Sequence, residues 1–487
     1  MNFVLFVDKN MLLLEPLKIN SVTLHNRIVL PAMVTRLSGE DGYVNKDIMD
    51  RYVRYAKGEA GLIVVEAMAV HAAKSGPLLR LSNDSFIEGH RELAKRVHDI
   101  SPSKIVPQII HFLKVARSGW RQRITDLSIE DIKQIIREYG EAASRAREAG
   151  YDGVEIHAAH AYTLSSFLST YNQRHDDYGG SLENRLRLPC EVLLEVRRRV
   201  GSDFPIGIRF LGEECIKDGY TVGDSKKMAL RFAKLGVDYI SLSAGGKFED
   251  AVQKAGAPLY PYTGYSGERC MPGRNFPDLA NIHMPRSVKE YLLQHSIHTP
   301  VVAAGKISTV EQMEQVLQSK YADLIGLARP LLLDPDIPKK ITRGAQEKII
   351  RCSYVNVCKN LDENFKTVRC FYWQKGMIQA RESNDAIAPT WSNGGANLIA
   401  EYKNDKVALR WNAAEDNEGV YVYDVFRSSE GQPFERFHMS KSNHFYDTEI
   451  LGGETLEYYV VGMDFAGNRT EKSNVVKVKI PEPMYLK

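Results

Sequence analysis

From about residue 26 to residue 330 the chain alternates short β-branched apolar runs with longer stretches of helical period. Eight runs read as strands: Arg27–Leu30, Leu62–Glu66, Ile105–Gln108, Gly153–His157, Ile206–Phe210, Tyr239–Ser243, Val301–Ala304 and Leu324–Leu327. Helix-sized intervals between them predict parallel βαβ units, and eight is the strand number at which such a sheet closes into a barrel. An open doubly wound sheet is the competitor. Polar and ligand-type residues recur at the ends of many different strands, whereas an open sheet gathers them at one switch point, so the barrel is preferred. The turn-rich stretch Asn384–Asn397 marks a boundary. After it Val407–Trp411, Tyr421–Arg427, His444–Asp447, Glu457–Met463 and Val475–Ile480 predict short strands with polar turns. The expected architecture is an α/β (β/α)8 TIM barrel over residues 1–383, followed by a small all-β immunoglobulin-like sandwich over 384–487.

Length agrees with that division, since 487 residues exceed what one core usually supports. Lys and Arg number 64 against 61 Asp and Glu, a net charge of +3 that gives no electrostatic reason to expect nucleic acid or a membrane surface as partner. Small anionic ligands, bound locally, remain open. The apolar patch within Met1–Lys9 lacks a basic flank and is broken by Asp8, so it does not read as a signal peptide. Nowhere is there an uninterrupted apolar run of the roughly 18 residues that a membrane span needs. Six cysteines in a chain of this length do not make a disulfide framework, and a cytoplasmic protein is expected.

The segment Gly153-Val154-Glu155-Ile156-His157-Ala158-Ala159-His160-Ala161-Tyr162 places His157, His160 and Tyr162 just past the end of the fourth strand. In a parallel barrel that end is the active face. Any one of the three could be a satisfied interior residue, but three proton-handling groups within six positions favour chemistry.

Six segments stand in a recognisable order and spacing: Asn26–Met33, Gly61–Ala67, Gln108 followed by His111, His157–Tyr162, the Asn172–Arg185 string containing Tyr178-Gly179-Gly180-Ser181-Leu182-Glu183-Asn184-Arg185, and the pair Ala304-Gly305-Lys306 and Gly326-Leu327-Ala328-Arg329. Together they resemble the old yellow enzyme family of flavin oxidoreductases, in particular its NADH:flavin oxidoreductase and 2,4-dienoyl-CoA reductase branch. The resemblance covers roughly residues 12 to 375. It implies FMN as cofactor and NAD(P)H as electron donor. Gly305, Lys306, Ala328 and Arg329 then match the phosphate site, where backbone amides and two cations meet an anion. Arg209 matches the fixed cation beside the flavin pyrimidine, Gln108 the amide on its edge, and Pro31, Ala32, Met33 and Ala67 the wall of the ring. His157 and His160 match the two donors that hold a substrate carbonyl oxygen, and Tyr162 the general acid that protonates the α-carbon. The implied activity is hydride transfer from NAD(P)H through FMN to a carbon–carbon double bond conjugated to a carbonyl.

Departures from the pattern modify the expectation. Val34, with Thr35 next, stands where the family carries Cys or Thr near the flavin. Phe112-Leu113-Lys114 replaces the usual Gly-Arg after the third strand, and Lys247 follows the sixth strand, where a solvated lysine is the preferred reading. The branch's four-cysteine [4Fe-4S] site reduces here to Cys352, Cys358 and Cys370, with Val355 in the second position, so a degenerate remnant without metal is expected; three thiolates completed by a histidine around zinc is the lesser reading. No Gly-x-Gly-x-x-Gly follows residue 380, so the expected scheme has NAD(P)H and the oxidant using one pocket in turn. The segment Phe248–Asn281 is expected to lid that pocket. Trp411 and the late Tyr458–Asn468 run resemble a fibronectin type III module, for structural or partner-binding use. Two alternatives are carried: an amine-type dehydrogenase passing electrons to a protein acceptor, and a non-catalytic barrel scaffold bearing a binding module. The expected partner is a small α,β-unsaturated carbonyl compound, with homo-oligomerisation open.

Overall fold

The structure, a computed structural model, describes residues 11–73, 76–114, 122–246 and 264–482. The chain forms two compact units. One holds the residues up to Gly344 with Tyr354–Phe371 and Gly376–Gln379; the other holds Ala345–Ser353, Tyr372–Lys375 and Ala380 onward.

The first unit is a closed barrel of eight parallel strands: β1 (Ile28–Leu30), β2 (Leu62–Ala69), β3 (Lys104–Ile110), β4 (Val154–Ala158), β5 (Ile206–Glu213), β6 (Tyr239–Ala244), β7 (Val301–Ala304) and β8 (Leu324–Gly326), with β8 pairing β1. Strands rich in Val and Ile that are buried along nearly their whole length are what a sheet covered on both faces requires. Helices such as Lys46–Ala56, Ile87–Ile100, Ile129–Glu148, Leu182–Val200 and Val222–Lys234 separate the strands. Their starts are written locally: Ser128 accepts from the Asp131 amide and Thr309 from the Gln312 amide, each with a reciprocal side chain completing a capping box. At the amino-terminal end a hairpin of Leu17–Ile19 and Val22–Leu24 puts Ile19 and Leu24 into one apolar cluster with Val29, Leu62, Val64, Val106, Val302 and Leu324, which closes that end.

Register sets the interior in layers. Gln108 lies opposite Glu155, Glu155 opposite Gly207 and Gly207 opposite Tyr239, while His157, Arg209 and Ser241 form the next layer toward the carboxyl end. Successive inward residues are two apart in each strand, so one layer sits directly beneath the other. Register shifts between Val65 and Met68 and between Leu211 and Glu213 bend β2 and β5 at the active rim. Among the described residues no helix is long and apolar enough to cross a membrane.

The second unit is all-β. A three-stranded antiparallel sheet joins β9 (Ile399–Lys403), β10 (Lys406–Arg410) and β13 (His444–Asp447); a four-stranded one runs β12 (Glu435–Ser440), β11 (Val422–Ser429), β14 (Thr455–Met463), β15 (Val476–Lys479). Leu398, Val407, Leu409 and Trp411 meet Tyr423, Val425, Tyr458, Val460 and Val478 in a common core between the two sheets. The strands β9 and β12 were not expected from sequence. In β9 no residue is buried and Ile399 faces outward, so alternation gives no apolar face; β12 carries Glu, Arg, His and Ser around one Phe and one Met at a sheet edge. The turn-rich stretch also holds a two-residue strand, Thr390–Trp391, paired with Ala414–Glu415.

The barrel layers generate a stability prediction. A β-carbon on Gly207 would lie 2.0 Å from Cζ of Tyr239, whose ring is wholly enclosed. Gly207→Ala should therefore destabilise the protein by about 1–3 kcal/mol through overpacking, read as a lowered melting temperature; an unchanged melting temperature would show that Tyr239 has room to move.

Candidate active site

At the carboxyl ends of the strands opens a cavity of about 1040 Å³. Every residue that the sequence pattern assigned to cofactor or catalysis lines it: Pro31, Ala32 and Met33 beyond β1, Ala67 of β2, Gln108 of β3, His157 of β4 with His160 and Tyr162 just after, Arg209 of β5, Gly305 and Lys306 after β7, and Ala328 and Arg329 after β8. A closed barrel is what brings these seven distant segments to one rim.

Backbone left-handed at both His160 (φ 60°) and Ala161 (φ 59°) turns the chain sharply after β4. The His157 ring consequently lies 5.1 Å from that of His160 and 5.5 Å from that of Tyr162, centroid to centroid. His160 Nε2 is 2.8 Å from the Ser243 hydroxyl at the end of β6. His157 is enclosed and its Nδ1 has no hydrogen-bond partner. Burial, aided by the Arg209 charge, pushes its imidazole down to about 3, so the ring is neutral across the physiological range.

Arg209 donates through Nη1 to Ser241 Oγ at 2.7 Å, which fixes the guanidinium beside the cavity. Gln108 donates its Nε2 to Glu155 Oε1 at 2.7 Å, leaving the carbonyl end of its amide for the cavity. On the β7–β8 side, Gly305 adopts φ 116°, and a β-carbon there would meet the Asn281 side chain at 2.9 Å. The Lys306 ammonium is bound to the backbone carbonyls of Arg274 (3.2 Å) and Phe276, and Arg329 donates to the Pro272 carbonyl (2.8 Å) and Asn356 Oδ1 (2.5 Å). Both cations stand over one ring, that of Tyr354, at 5.2 and 4.7 Å.

These groups form the donor set a flavin mononucleotide needs: a glycine turn where a side chain would not fit, two cations beside it for a phosphate, a guanidinium and an outward-facing amide oxygen for the pyrimidine, and apolar walls from Pro31 to Met33. The residues fit the group.

Val34 lines the cavity, whereas the Thr35 hydroxyl accepts from the Leu37 amide at 3.2 Å and its own amide donates to Glu66 Oε2 at 3.2 Å. Phe112, Leu113 and Lys114 form part of the wall. Lys247 and residues 248–263 of the expected lid lie outside the described residues; the remainder of that segment opens with a helix, Gly264–Cys270, after which Met271 and Pro272 reach the cavity. Of the three cysteines in the degenerate run, Cys358 lines the cavity, Cys370 belongs to the same unit and Cys352 to the other.

Sequence reasoning missed several participants. Glu155, Ser241 and Ser243 hold Gln108, Arg209 and His160 from neighbouring strands; for Glu155 the inward parity two residues before His157 was an available signal, whereas Ser241 and Ser243 are tied to their partners only by register. Glu66, wholly enclosed behind the β1 rim, is pushed up to about 7 by burial. Tyr354, Lys359 and Phe365 reach the cavity from beyond the last strand, where the alternating pattern carries no information about them.

Comparison with known proteins gives the same site a lineage. The profile of the NADH:flavin oxidoreductase / NADH oxidase family matches residues 12–125, 113–260 and 276–348. The chain is 31% identical over 361 residues to an NADH oxidase of Thermoanaerobacter brockii (70% of this chain, 52% of that protein). It is 31% identical over 405 residues to a cinnamate reductase of Clostridium sporogenes (74% and 57%), and 33% identical over 340 residues to an NADPH dehydrogenase of Bacillus subtilis (66% and 92%). It thus spans little more than half the length of the first two. In fold it is similar to the old yellow enzyme homologue from Zymomonas mobilis, with a TM-score of 0.54 at 22% identity over 68% of this chain and 93% of that one.

The buried His157 generates a pH prediction. In the unfolded chain an imidazole takes its proton near 6.5, but the folded one only near 3. Between those values the unfolded state binds more protons, so the stability associated with the neutral ring is complete above about 6.5 and is lost as the pH falls toward 3. The melting-temperature difference between the native protein and His157→Gln should therefore shift against the native protein between pH 7.5 and 5. A difference constant with pH would mean that the ring titrates alike in both states.

Proposed function

The chain belongs to the NADH:flavin oxidoreductase / NADH oxidase family, and on that footing we propose that it is an FMN-dependent ene-reductase that uses NAD(P)H to reduce a carbon–carbon double bond conjugated to a carbonyl. The observation that carries this reading is the placement of His157, His160 and Tyr162 together on one wall of the cavity that Arg209 and Gln108 also line. Bound FMN would supply the hydride chemistry, taking two electrons from NAD(P)H and passing a hydride to the β-carbon.

The chain's own residues account for the remainder. Arg209 keeps a permanent positive charge where negative charge gathers, and Ser241 holds it in place. His157 and His160 present ring N–H groups to the substrate oxygen, whose charge grows as the β-carbon receives hydride. A neutral His157 suits that task because it donates without bringing a second buried cation beside Arg209. Tyr162 stands next to His157 on the rim and delivers its hydroxyl proton to the α-carbon. The kinship with a cinnamate reductase, a protein named for an unsaturated acid, supports the choice of substrate class. One cavity of about 1040 Å³ has room for a flavin and one further planar ligand at a time, which favours donor and oxidant binding in turn.

The C-terminal unit is read as a fibronectin type III-like module of structural or partner-binding use, from Trp411 and the Tyr458–Asn468 run and supported by its three-plus-four strand sheets around one core.

The experiment is reconstitution with FMN followed by separate assay of the two half-reactions. Tyr162→Phe should bind FMN and consume NAD(P)H under air as before while alkene reduction falls by about 10²-fold or more. Loss of both half-reactions would assign Tyr162 to structure, and a protein that binds no FMN would end the reading.

A further inference from the structure

Beneath the cavity floor lies a carboxylate that the proposed chemistry does not use. Glu155 is 2% exposed and sits in the layer of Gln108, Gly207 and Tyr239. Its Oε1 accepts the Gln108 Nε2 at 2.7 Å across the β3–β4 register pair. Gly207, its partner on the other side, contributes no side chain, and the Tyr239 ring fills the space above that glycine. Arg209 lies one layer up in β5, and its charge favours the ionised carboxylate against the effect of burial, which pushes the carboxyl up.

A primary amide is a two-faced group, with two N–H donors on one end and a carbonyl acceptor on the other. Turned about its last torsion, Gln108 would offer the cavity a donor instead of an acceptor. A carboxylate only accepts. Its presence below therefore selects the orientation with Nε2 down and Oε1 up, and the selection is strong because both groups are enclosed, where an unmade hydrogen bond is expensive.

We propose that Glu155 is a positioning residue that locks Gln108 as a hydrogen-bond acceptor toward the cavity, so that the site prefers a flavin carrying a proton on its pyrimidine N3. The inference rests on the flavin reading and deepens it. Gln108 is the group that touches the ring; Glu155 acts through it.

The test compares FMN with N3-methyl-FMN, which lacks that proton, by fluorescence titration of the full-length apoprotein. The native protein should prefer FMN by about 10-fold or more, the effect of one buried hydrogen bond. Glu155→Gln is isosteric and its amide both donates and accepts, so Gln108 is free to turn. The preference should then shrink to about 3-fold or less with FMN still bound. In the same samples the absorbance titration of the bound N3 proton should move to lower pH in the variant, a signature that loss of packing alone does not produce. If Glu155→Gln does not fold, Glu155→Leu removes the acceptor and reads the same ratio. Equal binding of the two flavins by the native protein, or a preference that persists in a folded variant, overturns the assignment of Glu155. No binding of either flavin by the native protein overturns the flavin reading itself, which is a different result.

Discussion

Closure of a parallel sheet on itself is the constraint on which the other features of the molecule depend. Once β8 pairs β1, every strand must send alternate residues to an interior that holds little water, and register decides which residues share a layer. One such layer is Gln108, Glu155, Gly207 and Tyr239, and the layer above contains His157, Arg209 and Ser241. The groups that face the cavity are held from the neighbouring strand within their own layer, Gln108 by Glu155 and Arg209 by Ser241. An inserted or deleted residue in β4 or β5 would exchange inside for outside along the whole strand, so the chemistry and the closure of the barrel are specified by the same alternation.

Enclosure then decides the charge states. Arg209 contributes a charge to which the titratable neighbours respond. His157, wholly buried and within reach of that charge, gives up its proton and is neutral. Glu155 feels two opposing effects, burial against ionisation and Arg209 for it. Glu66, also wholly enclosed, is more strongly affected, being pushed up to about 7 while its Oε2 holds the Thr35 amide. Each group behind the cavity wall is therefore tied to a rim residue, and the rim owes its geometry to groups it hides.

Sequence revealed those features that depend on period and on strand ends. The eight barrel strands were legible because a strand buried on both faces is a nearly continuous β-branched run, which few other structures produce. Of the candidate site, the His157–Tyr162 cluster was legible for the same reason, standing just beyond such a run, whereas Gln108, Arg209, Gly305 and Arg329 were picked out by the resemblance to the family; all of them line the cavity. The illegible parts lie where the period fails. β9 alternates between partly and fully exposed residues and β12 is an edge strand of mixed polarity, so neither shows an apolar face. Glu155 was hidden in plain view, a carboxylate inside an apolar strand whose partner on the neighbouring strand only the register identifies. Tyr354, which stands beneath both Lys306 and Arg329, comes from a segment past the last strand, and pairing of that kind is a tertiary fact.

The loop after β4 shows why such a site is accurate as well as present. Two successive residues with β-carbons, His160 and Ala161, hold left-handed backbone, which disfavours each by about 1 kcal/mol or more. Such a turn persists only where its surroundings determine it. Here they do: His160 is bonded through Nε2 to Ser243 and its backbone bridges Gly246, where a β-carbon would come within 2.6 Å of the His160 Cα. The approach of β6 to this loop thus requires glycine on one side and accepts strain on the other. The return for that strain is directional, because an extended chain would carry His160 and Tyr162 away from His157, whereas the left-handed pair folds them back so that all three rings stand on the same wall. On the proposed reading, donors whose positions are set by backbone held in this way would need little reorganisation when charge develops on a bound oxygen, which is the condition under which hydrogen bonds contribute most to a rate.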